Sequence, residues 1–177
     1  MSDKKLCSSQ ILNELATYEK DIIIGYMDYK NKKYDDWGYE QHKGFFRDLQ
    51  MKLKDGEGKK SKEFGTLLYF DLFEKTIINN ITIYFRLQHN TNKVVVRAGF
   101  DSPKEKKSQR PVLIQKIQDE LNGKNIGFKK QTRPGRSLYT SLGTITDPVI
   151  QLDVNGLLDM ASTIKKLENY KVILDSL

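Results

Sequence analysis

The sequence predicts an α+β fold: a central antiparallel sheet of four to five strands with helices mainly on one face, in the order α-α-β-β-β-α-β-β-α. Three observations predict it. Residues 81–88 alternate apolar and polar side chains, the period of a strand with one buried face. Two further runs rich in aromatic and β-branched residues flank that segment closely enough to pair with it as a meander. Stripes of apolar residues spaced by three and four precede and follow this block, as amphipathic helices require.

Taken in order, Ile11, Leu15, Tyr18, Ile22, Tyr26 and Tyr29 predict a first helix over about 10–29, capped by Ser8 or Ser9. Trp37, Phe45, Leu49 and Leu53, with Phe46 beside them, predict a second helix capped by Asp35 or Asp36. The charged, glycine-containing stretch KLKDGEGKKSKE reads as a loop. Strands are expected at 64–74, 79–88 and 93–100, the last two joined by Asn90-Thr91-Asn92. Their expected inward residues are Ile81, Ile83, Phe85 and Leu87 on one, and Val94, Val96, Ala98 and Phe100 on the next. Residues 101–108 read as a basic loop. A third helix is expected over 109–122, with Pro111 in its first turn, a stripe of Val112, Leu113, Ile117 and Leu121, and Gly123 as its stop. Strand signals return at 126–131 and 137–145 around an Arg-Pro-Gly-Arg turn. Leu157, Leu158, Ala161, Ile164 and Leu167 predict a last helix capped by Asp153 or Asn155. With no internal repeat and no linker-like stretch, residues 1–177 read as a single domain.

Composition narrows the function classes. The longest aliphatic cluster is the triplet Ile22-Ile23-Ile24, so no membrane span is expected, and the opening residues lack the apolar region of a secretory signal. Cys7 is the only cysteine, which leaves packing without disulfides to hold the fold and suits a cytoplasmic protein. One cysteine with two histidines, His42 and His89, cannot build a four-ligand zinc site, and both histidines read as structural or exposed. Phosphate-cradling glycine motifs, a nucleophile elbow and HExxH are all missing, so neither a cofactor nor a catalytic set is expected.

The charge is informative through its distribution. The chain carries +7, and residues 101–136 hold ten Lys or Arg against four Asp or Glu, a local excess of +6. The other 141 residues are nearly balanced, with 20 bases and 19 acids. A concentrated basic segment is the footprint of an anionic partner. Lys104, Lys106, Lys107 and Arg110, at the entry to the third helix, are expected to share a surface with Lys129, Lys130, Arg133 and Arg136, which flank the following strand and turn. Phe128 and Tyr139 interleave with these cations; Phe128 suits the core, and Tyr139 suits either core or a stacking platform.

The helix-strand-strand-strand-helix-strand order over about residues 36–145 resembles the core of the PD-(D/E)XK nuclease superfamily. That resemblance implies an acid near the end of the second strand and a (D/E)xK triplet on the third, holding a divalent metal. Here the second strand carries Arg86 and Gln88 and the third carries Arg97. Asp71 lies on the first strand, and the triplet Glu105-Lys106-Lys107 follows the third. The strand with an aromatic and basic residues, the Asp-capped final helix and Trp37 also resemble an uncharacterised accessory domain attached to predicted nucleases in bacterial defence loci. Three functions follow as expectations. The first is a non-catalytic module binding an anionic partner, DNA or RNA before all. The second is a diverged metal-dependent nuclease using Asp71 and Glu105, and the third an immunity or inhibitor protein docking on an acidic protein surface.

Overall fold

The structure, a computed structural model, describes residues 28–53, 62–64, 67–77, 80–89, 91–133 and 135–177. All but the last residues of the expected first helix, and Cys7, lie outside them. The described elements confirm the α+β class. Six strands form one antiparallel sheet: β1 (Lys62–Phe64), β2 (Leu67–Thr76), β3 (Thr82–Gln88), β4 (Val94–Gly99), β5 (Phe128–Lys130) and β6 (Tyr139–Ile145), in the spatial order β1-β2-β3-β4-β6-β5. Three helices accompany it: α1 (Tyr39–Lys52), α2 (Pro103–Asn122) and α3 (Met160–Ser176). None of the helices described is long and apolar enough to cross a membrane.

The alternation in β3 and β4 sets the architecture. Ile81, Ile83, Phe85 and Leu87 are all buried, as are Val94, Val96, Ala98 and Phe100, while Thr82, Tyr84 and Arg86 on the opposite face are only half-buried. A one-residue slip would invert every one of these positions. Phe85 pairs with Val96 and Leu87 with Val94, so the apolar face is continuous across strands. Phe70 and Phe73 extend it on β2, where a bulge between Asp71 and Phe73 also turns Leu72 inward. The helices pack on this face: Phe46 of α1 stacks on Phe70 at 5.8 Å, and Leu49, Ile117, Leu121, Leu167 and Ile173 join the same core cluster. Lys75, in register with Ile83, donates to the Leu174 and Asp175 carbonyls, where the last turn of α3 leaves orphan acceptors.

Several boundaries differ from the sequence expectation, each for a local reason. Asp35 and Asp36 form a 3₁₀ turn, and α1 begins at Tyr39, where Gln41 Oε1 accepts from the Gly38 N–H at 2.8 Å. Lys62 and Glu63, expected as loop, join Phe64, expected to open the strand 64–74, in the separate edge strand β1, which brings the sheet to six strands. The expected basic loop 101–108 is mostly helix. Ser102 Oγ accepts from the Glu105 N–H, the Glu105 carboxylate accepts from the Asp101 N–H at 2.8 Å, and Pro103 takes the first helical position. Pro111 consequently lies inside α2 and leaves the Lys107 carbonyl without its helical donor. The buried face of α2 is Leu113, Ile114, Ile117 and Leu121, and Val112 is exposed. Gly123 caps α2 in a right-handed conformation, and Asn125 takes the left-handed one, at φ 57°. Asp159, rather than Asp153 or Asn155, caps α3, so its core face is Thr163, Leu167, Tyr170, Ile173 and Leu174, with Ala161 exposed and Ile164 half-buried.

At the α1 end, Trp37 is packed edge-on by Tyr29, Tyr34 and His42, with ring centroids 5.0 to 5.3 Å away. His42 is 6% exposed and lies 5.6 Å from His89. Burial, and then the neighbouring His89, lowers the His42 pKa from 6.5 to about 4. The fold therefore favours neutral imidazole. Its contribution is complete above about pH 6.5 and is lost as pH falls toward about 4. Urea unfolding should show about 2 kcal/mol less stability at about pH 5 than at about pH 7. His42→Phe, which keeps the ring packing, should remove most of that difference; an unchanged difference would mean that His42 does not carry it.

Candidate nucleic-acid interface

The cations of the basic segment are arranged by α2. Pro103, Lys106, Lys107, Arg110 and Pro111 recur at helical spacing on one side of it, and with Arg136 and Leu138 they line a groove of about 300 Å³. Two side chains close that groove from beneath. Lys106 Nζ donates to the Gly135 carbonyl and, at 2.6 Å, to the Ser137 carbonyl, which holds the 131–138 segment against the helix. Arg110, only 8% exposed, donates through Nη2 to the carbonyls of Gln131 and Ser141, which ties α2 to the end of β5 and to β6. Burial lowers the Arg110 pKa from its ordinary value, and its Nε has no hydrogen-bond partner among the described residues.

The eight expected cations thus fall into two sets. Lys106, Lys107, Arg110 and Arg136 meet in the groove. Lys104 is exposed in the first turn of α2 but is not part of the groove lining. Lys129 and Lys130 are exposed on edge strand β5, and Arg133 is exposed on the connecting segment. The expectation that Arg110 stands near a helix N-terminus is corrected: α2 starts seven residues earlier, at Pro103, and Arg110 acts as a buried strap. No acid lines the groove, and Lys107 and Arg136 form no ion pair among the described residues.

Beside the groove lies an aromatic pair that sequence spacing cannot pick out. Tyr139 follows Leu138 directly and is 59% exposed. Its ring covers Gly99, where an added Cβ would stand 3.0 Å from the ring. Tyr84, two strands away, approaches it with centroids 6.2 Å apart. Burial first, then a hydrogen bond with Tyr139, pushes the Tyr84 pKa up to about 12. Phe128 is half-buried and packs over Gly143, a core placement.

The acids that a nuclease centre would need are engaged elsewhere. Asp71 receives a bidentate bond from Arg86, at 2.6 and 3.0 Å, on the polar face of the sheet. Glu105 caps α2. Among the described residues no three His, Cys, Asp or Glu side chains gather closely enough to hold a metal ion. A second cavity, of about 420 Å³, lies along α3 and includes Lys124, Lys165 and Lys166. Neither models of known families, curated proteins nor solved structures match this chain.

The Arg110 strap has a measurable consequence. Arg110→Leu should leave the Gln131 and Ser141 carbonyls short of a donor and destabilise the protein by about 1–3 kcal/mol in urea unfolding. Lys107→Ala, at an exposed site, should stay within about 0.5 kcal/mol. Equal effects would show that Arg110 carries no structural bond.

Proposed function

We propose that the protein is a non-catalytic nucleic-acid-binding module whose contact surface is the groove between α2 and the 131–138 segment. One observation supports this above the others: four cations from two separate stretches of chain converge on a groove that, among the described residues, no acid lines. Gathered like charges repel one another, so such a cluster stands best at a surface where an anion completes it. The walls suit a phosphodiester strand. Lys107 and Arg136 are exposed and free of ion pairs, Arg110 adds a fixed charge from below, and Pro103, Pro111 and Leu138 offer apolar surface to sugars. The engagement of Asp71 by Arg86, and of Glu105 as a helix cap, favours binding over cleavage.

The test is fluorescence anisotropy with labelled oligonucleotides at two salt concentrations. Binding should weaken steeply with salt as counterions are released. The double variant Lys107→Glu, Arg136→Glu should lose roughly tenfold or more in affinity, with the log–log salt slope shallower by roughly one per cation removed. Lys165→Glu with Lys166→Glu, at the other basic cavity, should leave binding unchanged. Absence of binding at low salt would overturn the proposal in favour of docking on an acidic protein. Loss only with the α3 pair would move the interface to the second cavity.

A further inference from the structure

Resting on that reading, we infer that the module selects single-stranded over duplex nucleic acid, by stacking an unpaired base on the Tyr139 ring at the exit of the basic groove. The sheet register carries this inference. Tyr139 pairs with Gly99, and Gly99 pairs with Thr82. Tyr84 pairs with Arg97, and Arg97 with Ser141. Both rings therefore rise from the face of the sheet opposite the helices, over neighbouring rows of its central strands. One side of the Tyr139 ring is occupied by Gly99, where a side chain would collide with it, and the ring is nevertheless 59% exposed. A ring held from below with its surface in solvent is a stacking platform that loses little freedom on binding. The Tyr84 ring, tilted by 42° with its centroid 6.2 Å away, packs beside it and limits its orientation further.

The chain itself connects the cations to the ring. Ser137 is gripped by Lys106 through its carbonyl, its hydroxyl accepts from the Tyr139 N–H at 3.1 Å, and Leu138 between them lines the groove. A chain whose phosphates lie on Lys107 and Arg136 reaches Tyr139 across these three residues. Only an unpaired strand can present a base there. In a duplex the bases are stacked on one another, and the ring surface would meet a sugar–phosphate edge. The charge of the groove supplies sequence-independent affinity, and the ring supplies the strand preference.

The experiment compares a single-stranded oligodeoxynucleotide with its duplex, against the wild type, three Tyr139 variants and the Lys107→Glu, Arg136→Glu reversal. The wild type should bind the single strand more tightly by about tenfold, a stacked base being worth roughly that. Tyr139→Ala should weaken single-strand binding by roughly 5- to 150-fold, leave duplex binding within about twofold, and so erase the preference. Tyr139→Ile should do the same while still covering Gly99, which separates loss of stacking from loss of folding. Tyr139→Phe should bind within about twofold of the wild type. An oligonucleotide carrying 5-bromouracil should cross-link to Tyr139 on irradiation, as located by peptide mass spectrometry. Equal binding of both forms, with Tyr139→Ile matching the wild type but the Lys107, Arg136 reversal still abolishing binding, would overturn the stacking inference and leave the groove intact. No binding of either form would overturn both.

Discussion

The guanidinium of Arg110 joins a helix to two strands, and the shape of the candidate site depends on that junction. Through the Gln131 and Ser141 carbonyls it fixes how α2 lies beside the end of β5 and along β6. Lys106 repeats the device one turn earlier, on Gly135 and Ser137. A segment containing Pro, Gly and two Arg would otherwise sample many conformations, and ordering it costs entropy. Charge-assisted bonds to backbone carbonyls are the stronger kind and offset that cost. The consequence is a division of labour among like charges. Two cations are used to build the groove, and two, Lys107 and Arg136, are left to face what enters it.

The remainder of the fold separates its polar and apolar demands between the sheet's two faces. The helix-covered face holds the aliphatic and aromatic core. The other face holds the Asp71–Arg86 pair and the Tyr84–Tyr139 pair. The few charges inside the helical layer are partnered: Asp48 is 2% exposed, accepts from the Tyr29 hydroxyl and meets Lys30 at 2.9 Å. Buried carboxylates of this kind are tolerated only when paired. At the turn between β3 and β4, Asn92 stands at φ 43° and accepts from the Val149 and Ile150 N–H groups, which leads the chain from β6 toward α3.

What the sequence made legible was what repeats with a period. The alternation of 81–88, and the inward set Val94, Val96, Ala98 and Phe100 on the next strand, identified the two central strands and their buried side chains. The stripe Trp37, Phe45, Phe46, Leu49 and Leu53 identified the core face of α1. Illegible parts were those decided by single hydrogen bonds or by long-range register. The first two turns of α2 carry no apolar stripe, so Ser102 and Glu105, a capping pair, looked like loop residues. That S-x-x-E spacing was the available signal. Asp159 replaced two other plausible caps, and the core face of α3 runs over Thr163, Leu167, Tyr170, Ile173 and Leu174. In the site, the basic segment was legible from charge counting. Which of its cations meet was not, because that depends on the helical phase of 103, 106, 107 and 110 and on the Arg110 bonds. The nearness of Tyr84 and Tyr139 required knowing that β6 pairs with β4, a pairing that begins at Gly99 and Tyr139, far apart in the chain.

The central claim is that phosphates bind in the groove that Lys106 and Arg110 build. NMR spectra of uniformly ¹⁵N-labelled protein, titrated with a short single-stranded oligonucleotide, test it most directly. Amide shifts should concentrate on Lys106, Lys107, Arg110 and the residues Gly135 to Tyr139. Those of Lys165, Lys166 and Asn169 on α3 should stay fixed. Shifts centred on α3, or no shifts at concentrations where anisotropy reports binding elsewhere, would contradict it.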